Sequence, residues 1–206
     1  MACPELTRGV TSDWRKPNRP TKPKFCIEFC YSRVTNRDSQ FEVHQSPVTV
    51  HTPMPDTVSP EIIDLARHIA CEHGLDPALV CAVIEQESAW NPWAVRYEPG
   101  FLSRYIAPLY TAGKLSATEA YTRAMSWGLM QVMGQVAREF GFKETSLSEL
   151  CDPATGLEFG CRIMAARMAR AKGDVPAALL AWNGGADDNY PAEVLARKRN
   201  YSSRPA

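Results

Sequence analysis

No run in the chain approaches the roughly twenty apolar residues that cross a bilayer as a helix, so no membrane-spanning helix is expected in its 206 residues. The opening M-A-C-P-E-L-T-R-G-V-T-S-D-W-R-K-P has no apolar stretch of its own, so no secretory signal is expected there. Excess charge is missing too. The 23 basic residues balance 23 acidic ones, which argues against nucleic acid as the main partner. Metal-ligand sets are also lacking: Cys26 and Cys30 are spaced C-x3-C with no histidine or second cysteine pair near them, and no metal site is expected. The seven cysteines are an odd number, so at least one is unpaired unless it bridges between chains. Cys71, Cys81 and Cys161 lie in apolar helical patterns and read as small core residues. Beyond residue 57 no strand pattern stands out, and the expected fold class is all-α.

What is present divides unevenly. With 45% hydrophobic residues, the chain can bury one good core and a small appendage. Residues 1–57 read as a largely irregular N-terminal segment. Lys16 to Lys24, K-P-N-R-P-T-K-P-K, is basic and proline-rich, the composition of an extended tail or linker. Phe41, Val43, Val48 and Val50 alternate around Gln45-Ser46-Pro47 as a short hairpin would. The proline-rich stretch from Thr52 to Pro60 marks the boundary, and residues 58–206 form the expected domain.

The domain is organised around Asp76 to Pro92, D-P-A-L-V-C-A-V-I-E-Q-E-S-A-W-N-P. Asp76 can cap a helix and Pro77 suits its first turn. Leu79, Val80, Val83 and Ile84 form a stripe at helical spacing, and the next position on it is Glu87. The helix is therefore expected to turn a carboxyl toward the interior at its C-terminal end, with Glu85 facing solvent. Desolvation raises the pKa of such a group, as a general acid working near neutral pH requires. A half-exposed glutamate at a helix end is the plainer alternative.

Other helices are read from Ser59-Pro60 to Gly74, from the Ser116–Glu119 capping box, from Gly128 to Phe140, from Asp152-Pro153 with Leu157, Cys161, Met164 and Met168 as its buried face, from Asp174 to Trp182, and from Pro191 to about Asn200. Between Asn91 and Ala124 lies an insert containing Tyr97, Phe101, Tyr105 and Tyr110. These aromatics either line a sugar cleft or form the small core of the insert.

Three phrases occur in order: E-S-A-W-N-P from Glu87, S-W-G-L-M-Q-V-M from Ser126, and A-W-N-G-G from Ala181. Together, across roughly residues 59 to 201, they resemble the SLT-type lytic transglycosylases, lysozyme-like enzymes that cleave peptidoglycan glycan strands. The resemblance implies Glu87 as catalytic acid and Ser88 as a local hydrogen-bonding residue at the helix end. It implies a close backbone approach at Gly128, to the glycan or to the Glu87 helix, and sugar contact through Gln131. Leu129 and Met133 read as packing residues, although the family sets the second at the cleft floor; Asn183 is the candidate for an N-acetyl group. Two departures stand out. Met133-Gly134 replaces the usual M-P, and Ala181-Trp182-Asn183 replaces A-Y-N, whose tyrosine hydroxyl reaches the catalytic carboxyl. The Trp182 indole could donate instead or stack on a sugar, and Tyr190 or Tyr201 could supply the hydroxyl.

The resemblance implies a monomer acting on glycan strands without a cofactor, in the periplasm or outside the cell. Without a signal, delivery by a phage or export by another route is expected. Two rivals remain at this point: a muramidase drawing a second carboxylate from Glu98, Asp187 or Asp188, and a non-catalytic wall-binding or virion structural protein.

Overall fold

The computed structural model of the chain describes residues 58–202. The basic tail, its hairpin and the boundary segment lie outside the described residues.

Helix α1 runs Pro60–Glu72 and α2 runs Pro77–Ser88. Strand β1, Val95–Tyr97, leads into the insert: a single turn α3 (Pro99–Phe101), a π-helical turn at Leu102–Ile106, and α4 (Ala107–Thr111) and α5 (Ala117–Arg123). Strands β2 (Met125–Trp127) and β3 (Val132–Met133) follow, then α6 (Gly134–Glu139), a 3-10 turn at Leu147–Cys151, α7 (Pro153–Arg170), α8 (Val175–Trp182) and α9 (Tyr190–Lys198). The domain is mostly helical, as expected. It adds what the pattern did not show, an antiparallel sheet of three strands in the order β1-β2-β3. Strands of two or three residues are too short to display alternation.

The helix starts follow their caps. The side chains of Asp76, Asp152 and Asp174 accept from Ala78, Thr155 and Ala177 backbone N–H groups at 2.9, 2.9 and 3.1 Å. Each aspartate precedes a proline or a Val-Pro pair, whose missing N–H costs nothing in a first turn. Ser116 accepts from Glu119 N–H at 3.2 Å. Ser59 does not cap; its hydroxyl turns to the Glu61 carboxylate.

Helix α2 is the centre, packed between α1 and α9. Its residues Leu79 to Ile84 are all buried, six in succession. A helix covered on every side has no solvent face, and for that reason Glu85 does not point to water as expected. It is covered by α9 and the C-terminal turn, where its carboxylate meets Arg197 and Tyr201. Emptying this core, as in Ile84→Ala, would cost about 2–5 kcal/mol. Cys81 and Cys161 are fully buried within it, and burial pushes their thiols up to about 11 and about 12. Cys71 is only partly covered.

The insert has a core of its own. Ile106, Ala120 and Ala124 are buried under Phe101, Leu102, Tyr105 and Leu115, and the Phe101 and Tyr105 rings lie 5.0 Å apart. Tyr97 and Tyr110 remain exposed. The core reading of the insert aromatics thus holds for Phe101 and Tyr105.

The expected helix from Gly128 begins only at Gly134. Gly128 has φ +68° and Gln131 φ +48°, so the chain turns there and forms β3 before coiling. Gly128 does serve a close approach, to neither expected partner. A Cβ at this position would come within 2.3 Å of the Leu150 carbonyl oxygen.

Candidate active site

The C-terminal turn of α2 carries Glu87, half-buried. Two side chains donate to it, and both reach the same atom. The Tyr190 hydroxyl donates to Glu87 Oε1 at 2.6 Å, and the Trp182 indole Nε1 donates to Oε1 at 3.0 Å. Both possibilities left open by the missing A-Y-N tyrosine are thus realised. Trp182 closes α8 and Tyr190 opens α9. Tyr201, the other candidate, donates instead to Glu85 Oε2 at 2.6 Å.

The turn between α8 and α9 fixes the two donors relative to each other. Asn183 Nδ2 donates to the Asp187 carbonyl at 3.0 Å, and its Oδ1 accepts from Gly185 N–H at 2.9 Å. The amide of Asn183, the candidate for an N-acetyl group, thus ties the turn. Asp187 and Asp188 lie exposed in that turn. Asp187 Oδ1 accepts from Asn189 N–H at 2.8 Å.

Burial raises the Glu87 pKa above the ordinary carboxyl value. The Tyr190 and Trp182 hydrogen bonds and the Arg96 guanidinium pull the other way without cancelling it. Tyr190 is 6% exposed, and its phenol is pushed up by that burial and by the Glu87 charge beside it. A carboxyl raised by desolvation and met only by neutral donors can give up a proton near neutral pH and take one back.

The loop with the G-L-M-Q phrase is tied to Glu87 from the other side. The Ser88 hydroxyl donates to the Leu129 carbonyl at 2.8 Å and lies 3.2 Å from Ile84 O. This is the local role expected of Ser88, extended to a second segment. Gln131 Nε2 donates to the carbonyls of Ala94 and Gly128, both at 2.9 Å. Its amide nitrogen therefore holds the loop against the start of β1, and the expectation of a sugar contact is not carried by that atom. Leu129 is buried, as expected of packing.

Met133 is partly exposed at the end of β3. The register sets Arg96 opposite Ser126 and Ser126 opposite Met133, so these three share one face of the sheet in a row across its strands. Arg96 carried no signal in the sequence, because strands this short show no period. Glu98, the candidate second carboxylate of the insert, accepts from Arg96 Nε at 2.5 Å.

Residues 64–203 match the transglycosylase SLT domain. The chain belongs to that family. This SLT domain places the chain among the lytic transglycosylases of the lysozyme-like superfamily, whose activity is cleavage of peptidoglycan. No curated protein and no solved structure matches it. Among the described residues, no helix of the SLT domain is long and apolar enough to cross a membrane. No group of three or more His, Cys, Asp or Glu side chains there could hold a metal ion.

Proposed function

We propose that this chain cuts the β-1,4 bond between N-acetylmuramic acid and N-acetylglucosamine, leaving 1,6-anhydro ends, with Glu87 as the one catalytic carboxyl. The observation that carries the proposal is the environment of Glu87. Its carboxyl is raised by burial and held on one oxygen by Tyr190 and Trp182, with no cation among its hydrogen-bond donors.

Glycoside cleavage needs a proton for the leaving oxygen and support for an oxocarbenium-like transition state. Glu87 in its acid form gives the proton and becomes a carboxylate. As carboxylate it takes the proton of the muramyl C6 hydroxyl, and that oxygen bonds to C1 and closes the anhydro ring. The nucleophile already belongs to the substrate, so no second carboxylate is needed to activate water. Tyr190 and Trp182 stabilise the charge on Glu87 between the two transfers. Ser88, Gln131 and Asn183 hold the segments that frame the site, and Met133 offers an apolar surface to the sugar. The substrate lies beyond the cytoplasmic membrane, and no organic cofactor or metal enters the reaction as proposed.

The test is a mass spectrum of purified peptidoglycan digested by the full chain. Anhydro products, lighter than their hydrolysed counterparts by one water, are expected. Products of full hydrolytic mass, with activity lost in Glu98→Gln, would replace the proposal with a muramidase. Binding without any cleavage would leave a non-catalytic wall protein.

A further inference from the structure

Arg96 stands where a cation works against the reaction proposed for Glu87. A positive charge near an acid favours its ionised form, and the Arg96 guanidinium does pull the Glu87 pKa down. A site whose acid must hold a proton gains from such a neighbour only if the cation has another task.

The placement of Arg96 narrows that task. It lies on β1, in the row with Ser126 and Met133. Two residues before it, the Ala94 carbonyl accepts from Gly128 N–H at 2.8 Å and from Gln131 Nε2 at 2.9 Å. Ser88, next to Glu87, donates to the same loop at Leu129. The strand is thereby pinned to the segment that frames Glu87.

The guanidinium is only partly engaged. Its Nε donates to Glu98 Oε1 at 2.5 Å, and 67% of the side chain is exposed. Among the described residues, nothing accepts from its two terminal nitrogens. An exposed ion pair of this kind adds little stability. Held at Nε, however, an arginine presents its terminal N–H groups as a fork suited to the two oxygens of a carboxylate. The sugar hydroxyl and acetamido groups of the glycan are neutral and need no cation. The muramyl lactyl group is amide-linked wherever a peptide is attached, and the free carboxylates then lie on the peptide stem.

We propose that Arg96, clamped by Glu98 at the rim of the site, is a specificity residue that binds a stem carboxylate of the peptidoglycan strand. This rests on the reading that the chain acts on peptidoglycan. A bound stem carboxylate also neutralises Arg96, which removes its pull on Glu87 when substrate is in place. An acid that gains its proton more readily on a stem-bearing strand makes the cut selective for such strands.

The test uses the full chain carrying Glu87→Gln, so that binding is read whether or not the native chain cleaves. Calorimetry at low salt compares two soluble glycan fragments with identical stems, one with free stem carboxylates and one with these converted to primary amides. The free-carboxylate fragment is expected to bind about tenfold more tightly, the scale of one hydrogen-bonded charge. Adding Arg96→Gln should bring that ratio close to one, and adding Arg96→Lys should leave part of it. Because the side chain is mostly exposed, circular dichroism should show the same fold in every variant. A ratio that Arg96→Gln does not change overturns the inference while leaving the peptidoglycan reading intact. Failure to bind either fragment overturns both.

Discussion

The last turn of α2 carries two glutamates, two residues apart, which meet closely similar partners with different consequences. On one side Glu87 accepts a tyrosine hydroxyl at 2.6 Å and an indole N–H at 3.0 Å. On the other, Glu85 also accepts a tyrosine hydroxyl at 2.6 Å, and that hydroxyl in turn accepts from the Trp90 indole at 2.9 Å. One thing that separates the two sides is a cation in direct contact with the carboxylate. Arg197 lies 3.2 Å from Glu85 and its Nε donates to Gln86 Oε1 at 2.5 Å, whereas only neutral groups donate to Glu87. Partial burial is common to both carboxyls, so burial alone does not mark a reactive one. The charge on the donors divides them: an ion pair fastens α9 to α2 at Glu85, and neutral groups alone donate to Glu87.

The sharpest way to break this comparison is to neutralise each glutamate in turn. Glu87→Gln should lower cleavage of purified peptidoglycan by roughly 10²–10⁴-fold, the usual contribution of a general acid–base group. Glu85→Gln should leave turnover per folded molecule near that of the native chain. Equal losses would show that the two sides do not differ in kind.

Stability should separate them in the opposite order. Glu85→Gln removes half of an ion pair that is 26% exposed on the carboxylate side. It should cost about 1–2 kcal/mol in denaturant melts, toward the low end for a hydrogen bond to a charged group because solvent screens the pair. Glu87 titrates higher in the folded chain than in the unfolded one. Its contribution is therefore complete at acid pH, below the unfolded value, and is lost as pH rises through the folded value. Glu87→Gln removes that loss. The variant should melt at or above the native chain near about pH 8, with the gap closing toward about pH 4.

The tyrosines sharpen the contrast further. The Tyr190 hydroxyl is the strongest influence lowering the Glu87 pKa. Tyr190→Phe should therefore move the alkaline limb of the kcat/KM profile to higher pH, and Trp182→Phe should move it the same way by less. Tyr201→Phe should lower the melting temperature and leave the limb in place. A limb that follows Tyr201 and ignores Tyr190 would reverse the assignment.

The smallest effect is expected from removing residues 1–57. The partners described for both sides of α2 lie within residues 58–202, and a chain starting at Val58 should cleave isolated peptidoglycan as the full chain does. Comparison of initial rates at equal concentration checks this.

The sequence showed the first of these sides and missed the second. Helical spacing reaches Glu87 because it extends the run from Leu79 to Ile84, and the three phrases bring the family into view. The same spacing misplaced Glu85, since period alone does not reveal that α9 will cover the rest of the helix. The sheet escaped notice because β3 has two residues and β1 and β2 have three each. The helix expected from Gly128 overlooked a turn whose second left-handed residue, Gln131, is not a glycine. Tyr190 and Trp182 were both candidates for the hydrogen bond lost with the A-Y-N tyrosine. That both end on one oxygen was beyond any motif, because Trp182 and Tyr190 lie 95 and 103 residues from Glu87 along the chain.

That shared oxygen makes the Glu87 carboxyl lopsided. With a hydroxyl and an indole both directed at Oε1, the acidic hydrogen has its place on Oε2, which receives no donor from the described residues. A proton leaving Oε2 and a proton returning to it pass through one point in space. The carboxyl has no need to swivel between the two halves of the reaction, and its partners resist such a turn. In the reaction proposed above the sugar is what travels, bringing first its bridging oxygen and then its C6 hydroxyl to the same atom. Turnover by that route is expected to depend on how freely the severed muramyl residue shifts while its other end is still attached to the strand.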